Sequence, residues 1–479
     1  MSLPEPIRRN LLLLVVCLAQ LMVILDVSIV NVALPSIHDD LGYTTTGLQW
    51  VVNAYTLTFA GFLLLGGRAA DLLGRRRVFV AGTAIFTLAS VLCAVADTQG
   101  TLDAARALQG FGAAVISPAS LAILTTSFAE GRERNRALGV WGAMGAIGGS
   151  TGALLGGLLT QDIGWPAIFL INVPIGIGVI AASLRLVPEG RSEAEHRHFD
   201  ATGAILVTVG LVALVYGIVR TDALGWGSAG VLLPLAVGLI LIAAFAFVEA
   251  RVAQVPLLPA RIVRMGRLRA ANLVVFLLFA AIFTMWFFLT LYMQQVLGLD
   301  ALETGVGFLP MTLSIVAVTS FTARLIARFG AGWVLTAGLL FGGAGMALLS
   351  DVHAGGSYFA DVLPGGVLSA IGLGLGFVSG TIVAVQGIEG RDSGLASGLL
   401  NASRLLGGAL GLAALSTLAA SHTSDELASG IQPAAALSDG FHVAFLAGAG
   451  ICLAGAVVSL LLLRRPAEAR AATPEPESA

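Results

Sequence analysis

The sequence predicts an all-α integral membrane protein of fourteen transmembrane helices, arranged as two six-helix bundles with an inserted helix pair. Three observations carry this expectation. Hydrophobic residues make up 57% of the 479 and charged residues only 11%, against about 25% charged in an ordinary soluble domain. Apolar stretches long enough to cross a hydrocarbon core of about 30 Å follow one another from Leu11 to Leu463, with short polar joints between them. One joint recurs: GRAADLLGRRRVF (67–79) has a faded counterpart in ARLIARFGAGWVL (323–335), aligned on Gly74 and Gly330, with Ala327 where the first copy has Asp71.

The spans are placed at 11–36, 47–67, 78–96, 101–128, 137–160, 167–187, 200–220, 229–249, 271–297, 304–327, 333–350, 359–385, 394–420 and 440–463. Arg8 and Arg9 ahead of LLLLVVCLAQL have the look of a secretory signal, but no small-residue cleavage site precedes a polar mature sequence, so this is read as a retained first span. All 26 basic residues are Arg. If span 1 runs outward, 23 of them lie at the N-terminus, in even-numbered joints or within one turn of them (Arg185 and Arg324, at the ends of spans 6 and 10), or in the C-terminal tail; Arg220 lies on the other side, and Arg106 and Arg404 lie deeper within spans. Basic residues gather on the cytoplasmic side of short loops, so both termini are expected in the cytoplasm and the chain in the cell membrane.

The exit of span 1, LPSIHDDLGYTTTGLQW, resembles the exit of span 9, YMQQVLGLDALETGVGF. Spans 1–6 therefore repeat as spans 9–14. The expected units are an N-terminal bundle (1–187), an inserted pair with its linkers (188–270), a C-terminal bundle (271–463) and a cytoplasmic tail (464–479). Transporters built from repeated bundles place their substrate near the midplane between the halves.

Enzyme chemistry finds no support. Cys17, Cys93 and Cys452 sit inside apolar spans, where a thiol behaves as a small hydrophobe. The six histidines lie in joints or at a span start, so no metal or nucleophile cluster assembles, and GLGLGFVSG lies in an apolar span with no strand before it, so it is no nucleotide loop. No cofactor and no nucleic-acid partner is expected. The partners are a small-molecule substrate, protons and the bilayer, and the chain is expected to act as a monomer.

Two charges inside spans stand out. Asp26 lies fifteen residues into the first apolar run. A carboxylate at that depth costs several kcal/mol unless it faces a cavity or a partner, and such groups mark proton or substrate pathways. Asp26 is therefore the candidate proton carrier, with a packing role bonded to Asn31 or a nearby Ser or Thr as the alternative. At about 1.5 Å per residue, Arg106 lies roughly 7 Å and Asp26 roughly 15 Å below the outer surface, a gap that an Arg side chain can bridge. The pair would close when Asp26 is ionised and open when it is neutral. The alternative for Arg106 is an interfacial anchor. Gly148, Gly152 and Gly156, at four-residue steps in span 5, form one groove that admits another helix backbone to backbone, unless they reflect generic small-residue packing. Trp50, Asn53, Tyr55, Trp141, Trp286, Phe288 and Tyr292 offer aromatic and amide surface. Of these, Trp50, Asn53, Tyr55, Phe288 and Tyr292 are the substrate-cavity candidates, with interfacial belt or packing roles as the alternative. Asn401 and Arg404 are polar and unassigned, and Arg404 is within reach of the cytoplasmic interface by snorkelling.

LDVSIVNVALP in span 1, GRAADLLGRRR after span 2, LDAARALQGFGAA in span 4, the glycine ladder of span 5 and WPAIFLINVPIG entering span 6 occur in one order along nearly the whole chain. Together they resemble the major facilitator superfamily, and more narrowly its fourteen-span drug:proton antiporter branch of multidrug exporters. The resemblance implies a proton-coupled efflux antiporter that exports small, largely hydrophobic compounds, cations among them, by alternating access, and so confers drug or antibiotic resistance. An uptake symporter is the alternative, and a non-transporting receptor or membrane enzyme a more distant one. By resemblance Arg106 takes part in proton coupling. Gly67, Asp71, Gly74, Arg75 and Arg76 form a conformational gate, in which Gly67 permits close backbone approach and Asp71 braces a neighbouring helix terminus. Gly139, Gly148, Gly152, Gly156 and Gly157 match the antiporter glycine motif. That motif usually has Pro after its third glycine; here Ala153 stands there, which puts the local kink in question.

Overall fold

The computed structural model describes residues 5–129, 132–189, 201–251, 265–386 and 390–463; the expected tail at 464–479 and most of both linkers around the inserted pair lie outside the described residues. Among the described residues there is no strand, and fourteen helices have fifteen residues or more. They are α1 (Glu5–Leu41), α2 (Trp50–Leu73), α3 (Arg75–Ala94), α4 (Gln99–Ser127), α5 (Arg132–Asp162), α6 (Asn172–Leu186), α7 (Ala201–Val219), α8 (Ala229–Arg251), α9 (Gly266–Leu291), α10 (Leu309–Phe329), α11 (Ala331–Leu349), α12 (Leu363–Val385), α13 (Gly390–Ala428) and α14 (Pro433–Leu462). Twelve of them, some with a short helical turn attached, are long and apolar enough to cross a membrane. The sequence led us to expect fourteen. The other two, α2 and α5, are 24 and 31 residues long, and each includes positions whose side chains lie outside the described residues.

The internal repeat is visible in the backbone. Gly74 (φ 105°) joins α2 to α3, and its counterpart Gly330 (φ 86°) joins α10 to α11. Glycine alone enters this region of φ without strain, so each helix can stop and the next begin on one residue. The two similar exits match as well. Gly42 and Gly298 have φ of 67° and 71°. Two residues later Thr44 and Asp300 cap the short helices Thr45–Leu48 and Ala301–Gly307 through their side-chain oxygens.

Helices α1 to α6 pack as one group, through α2 on α4, α1 on α5 and α3 on α4; α9 to α14 form a second group, through α11 on α12, α9 on α13 and α11 on α14. The first turns of α1, the α2–α3 joint and the ends of α4 and α6 surround one crevice, at what is here called the terminus end. At the far end the two groups meet. Gln294 Nε2 donates to the Val32 carbonyl (2.9 Å), and Gln161 Nε2 to Asp300 (3.2 Å). A Cβ on Gly157 would lie 2.8 Å from Leu302 Cα, and one on Gly305 would lie 2.5 Å from the Ala153 carbonyl oxygen. These contacts seal the far end.

Helices α7 and α8 pack on each other, and α7 also runs along the flank where α2 meets α13. Leu57, Val215, Ala409 and Ala413 share one apolar cluster there. Leu232, Leu239, Ile240 and Phe247 of α8 are exposed, a surface suited to lipid and not to water.

Candidate functional site

Asp26 and Arg106 meet. Both are fully buried, and Arg106 Nη1 lies 2.5 Å from Asp26 Oδ2. The same guanidinium donates from Nε to the Val51 carbonyl (2.8 Å) and from Nη1 to Gln109 Oε1 (2.7 Å), and it lies 4.5 Å from the centre of the Tyr55 ring and 5.6 Å from that of Phe169. The second Asp26 oxygen, Oδ1, accepts from Gln109 Nε2 (2.7 Å) and Asn172 Nδ2 (3.1 Å). Gln109 Nε2 also donates to the Ser90 hydroxyl (2.9 Å). Five helices, α1, α2, α3, α4 and α6, thus converge on one neutral pair. Removing one member of such a pair leaves an uncompensated buried charge, at about 3–5 kcal/mol.

Sequence reasoning missed Gln109 and Asn172. The signal was present, since Gln109 stands one turn from Arg106 on the same helix face and Asn172 interrupts an apolar run. The partners considered for Asp26 on its own helix are occupied otherwise. Asn31 donates to the Val27 carbonyl (3.0 Å), and the Ser28 hydroxyl donates to the Leu25 (3.1 Å) and Gly148 (2.8 Å) carbonyls. Arg106 is no interfacial anchor, because its head points into the bundle. A carboxylate overlooked in the same span, Asp103, lies one turn nearer the far end and accepts a hydrogen bond from Tyr43 (2.9 Å).

The glycine groove of α5 faces α1 on both sides of Asp26. A Cβ on Gly148 would lie 3.1 Å from the Leu25 amide, one on Gly152 would lie 2.8 Å from Ser28 Cβ, and one on Gly156 would lie 2.7 Å from the Ile29 carbonyl oxygen. Gly157 turns instead to the Ala301–Leu302 segment of the other group. Gly139 lies in α5, but on a position outside the described side chains. With Ala153 in place of proline, α5 runs as one helix from Arg132 to Asp162.

At the terminus end, Arg76 Nη2 lies 2.8 Å from Glu189 Oε2 and Arg77 Nε 3.5 Å from Glu189 Oε1, while Arg75 borders the crevice with Arg8 and Arg9. The side chain of Asp71 is outside the described residues. Gly67 is not the point of closest approach expected of it: a Cβ there would sit at an ordinary 3.4 Å from Pro118, whereas one on Gly66 would press the backbone of α4 at Ala114 and Val115. One residue along a helix turns the contact by about 100°, so the neighbouring glycine carries it.

The proposed cavity residues are not brought together. Tyr55 donates to the Val23 carbonyl (3.2 Å) beneath Arg106, and Asn53 is buried on α2 within 3.3 Å of Gln49. Phe288 packs on Phe287, Phe441 and Phe445, and Tyr292 donates to the His353 carbonyl (3.0 Å). Trp50 leans on Tyr216 of α7 at the flank. In this conformation these side chains fill helix contacts, not open space.

Known proteins extend the comparison. A cephamycin export protein of Amycolatopsis lactamdurans is 42% identical over 464 residues, covering 96% of this chain and 93% of that protein. A puromycin resistance protein of Streptomyces alboniger is 40% identical, covering 97% and 93%. Among solved structures, a POT-family transporter superposes with a TM-score of 0.69 at 15% identity, covering 95% of this chain and 97% of that one. A bacterial homologue of the human lysosomal transporter Spinster, solved inward-facing and unoccupied, superposes at 0.68 and 17%, covering 97% and 98%; at such identities the likeness speaks for the fold. The family model described as Major Facilitator Superfamily matches residues 16–411 and 271–478, and with these relatives it shows that the chain is a membrane transporter belonging to the major facilitator superfamily.

Proposed function

We propose that the chain is a proton-coupled efflux antiporter with fourteen spans and cytoplasmic termini, which exports small, largely hydrophobic compounds by alternating access. The observation that carries the reading is the buried Asp26–Arg106 pair, a carboxylate whose protonation must release a cation held by five helices. The export and resistance named for its relatives support the outward direction. Asp26 takes a proton from outside, Arg106 loses its partner, and the first helix group repacks; release of the proton inside closes the pair again. On the arginine distribution the terminus end is cytoplasmic, so the sealed far end is external and the described conformation faces inward. Gly67, Asp71, Gly74, Arg75 and Arg76 would act at that inner end as the gate. Helices α7 and α8 are the pair inserted between the six-span repeats, braced against the flank where the halves move past each other. Inside-out vesicles with an acid-inside gradient should accumulate a neutral hydrophobic dye, and collapsing the gradient should abolish the uptake; uptake that ignores the gradient defeats proton coupling.

Topology provides an independent check. Cysteines introduced at Ala129, in the α4–α5 joint, and at Ser429, before α14, should react with an impermeant maleimide from opposite sides in whole cells, Ser429→Cys from outside. Labelling of both from one face rules out this arrangement of spans.

A further inference from the structure

Arg404 is the intramembrane charge that the coupling pair leaves unassigned. It stands fourteen residues into α13 and is 9% exposed. It does not snorkel to the interface: Nη2 donates to the Phe377 carbonyl (3.0 Å) and to the Thr381 hydroxyl (2.6 Å), both on α12. The guanidinium carbon lies 4.0 Å from the centre of the Phe377 ring and 5.7 Å from that of Phe279 on α9. Its Nε has no hydrogen-bond partner, and among the described residues no carboxylate pairs with it.

The helix register of α12 tells where this group looks. Gly372 and Gly376 meet α11 and α9, Gly380 meets Val275 of α9, and Gly374 meets Ile315 and Val318 of α10. At 3.6 residues per turn, the sector left open between α9 and α10 carries Phe377 and Thr381, and Phe377 is 45% exposed there. That sector is flanked by α10, which reaches α5, and by α13, which reaches α2. It therefore faces the space between the two helix groups. Thr381 and Phe377 lie four and eight residues before the end of α12, roughly 6 and 12 Å in from the terminus end, on the side away from the far-end seal.

Charge settles what such a place can hold. Both Asp26 oxygens are taken by Arg106, Gln109 and Asn172, so the coupling carboxylate offers nothing to a cation in this conformation. Beside that space the Arg404 guanidinium has no ion-pair partner among the described residues, and an unpaired charge at membrane depth is expensive. A guanidinium presents a planar fork that matches a carboxylate, and an aromatic face beside it suits an apolar body. We propose that Arg404 binds an anionic group, a carboxylate or a comparable singly charged oxyanion, on the transported compound, with Phe377 and Phe279 against its apolar part. The inference rests on the transport reading and narrows its substrate class toward amphipathic monoanions and zwitterions.

The test is a fluorescence titration of the full-length purified protein in nanodiscs with N-dansyl-leucine, which has one carboxylate, and with its uncharged methyl ester. Arg404→Gln should weaken binding of the acid by about 10- to 100-fold, the range expected for a hydrogen-bonded ion pair, with the ester changed less than about twofold; Arg404→Lys should recover part of the loss. Wild-type protein that does not bind the acid, acid binding unchanged in Arg404→Gln, or equal losses for acid and ester would each overturn the proposal. Binding is read without a gradient, so failure of proton coupling in vesicles would leave this result standing, and the reverse also holds.

Discussion

Asp26→Asn is expected to reduce gradient-driven efflux to the passive leak of empty vesicles, with the protein still in the membrane and still binding neutral substrates. Asparagine keeps the shape and can still accept from Gln109 and Asn172, but it neither titrates nor neutralises Arg106. The variant thus resembles the protonated state made permanent. Leaving Arg106 as a lone buried cation should lower stability by about 3–5 kcal/mol, read as a lower melting temperature in detergent. Adding Arg106→Gln removes that charge, so the double variant should regain most of the stability without regaining transport. This separates fold from coupling. Gradient-driven transport by Asp26→Asn at the wild-type rate eliminates Asp26 as the carrier, and coupled transport by the double variant reduces the pair to a packing feature.

Much of this site was legible because charge in an apolar run is rare and costly. Asp26 and Arg106 announce themselves, and simple depth arithmetic brings them within reach. Gln109 and Asn172 do not, since a buried amide is cheap enough to occur for many reasons and its partner depends on helix rotation, which spacing fixes only within one helix. The same limit explains Gly66 and Gly67: the sequence marks a close approach near that joint, and only the rotation of α2 chooses between neighbours. Aromatic residues were the least informative. Phe288 and Tyr292 read equally well as cavity lining or as core; Phe441 and Phe445 of α14 cover the first, and the His353 carbonyl takes the hydroxyl of the second. The repeat was legible down to the backbone, because Gly74 and Gly330 serve a conformation that other residues resist. Which end is sealed was not legible, because closure depends on how two groups sit together and both arrangements use one sequence.

Gly152→Val is the substitution expected to stop transport without touching a charge. On α5 the groove of Gly148, Gly152 and Gly156 holds Leu25, Ser28 and Ile29 of α1, the residues on either side of Asp26 in the helix stack. A Cβ at Gly152 would already lie 2.8 Å from Ser28 Cβ and 3.1 Å from the Ile29 amide, and valine adds two methyl groups beyond it. Overpacking of this kind costs about 1–3 kcal/mol, which a large bundle survives, so the protein should still reach the membrane. The damage is to register. Forcing α1 from α5 moves Asp26 relative to Arg106, Gln109 and Asn172, and hydrogen bonds of 2.5–3.1 Å do not tolerate a shift of an ångström. The control lies next door. A methyl group on Gly149 would meet nothing within 4 Å, so Gly149→Ala should transport like the wild type and, by helix propensity, gain up to about 1 kcal/mol in stability. Efflux from cells expressing equal surface amounts of the two variants decides the matter: loss in Gly152→Val with retention in Gly149→Ala assigns the groove to the coupling site, whereas equal activity in both would reduce the ladder to composition.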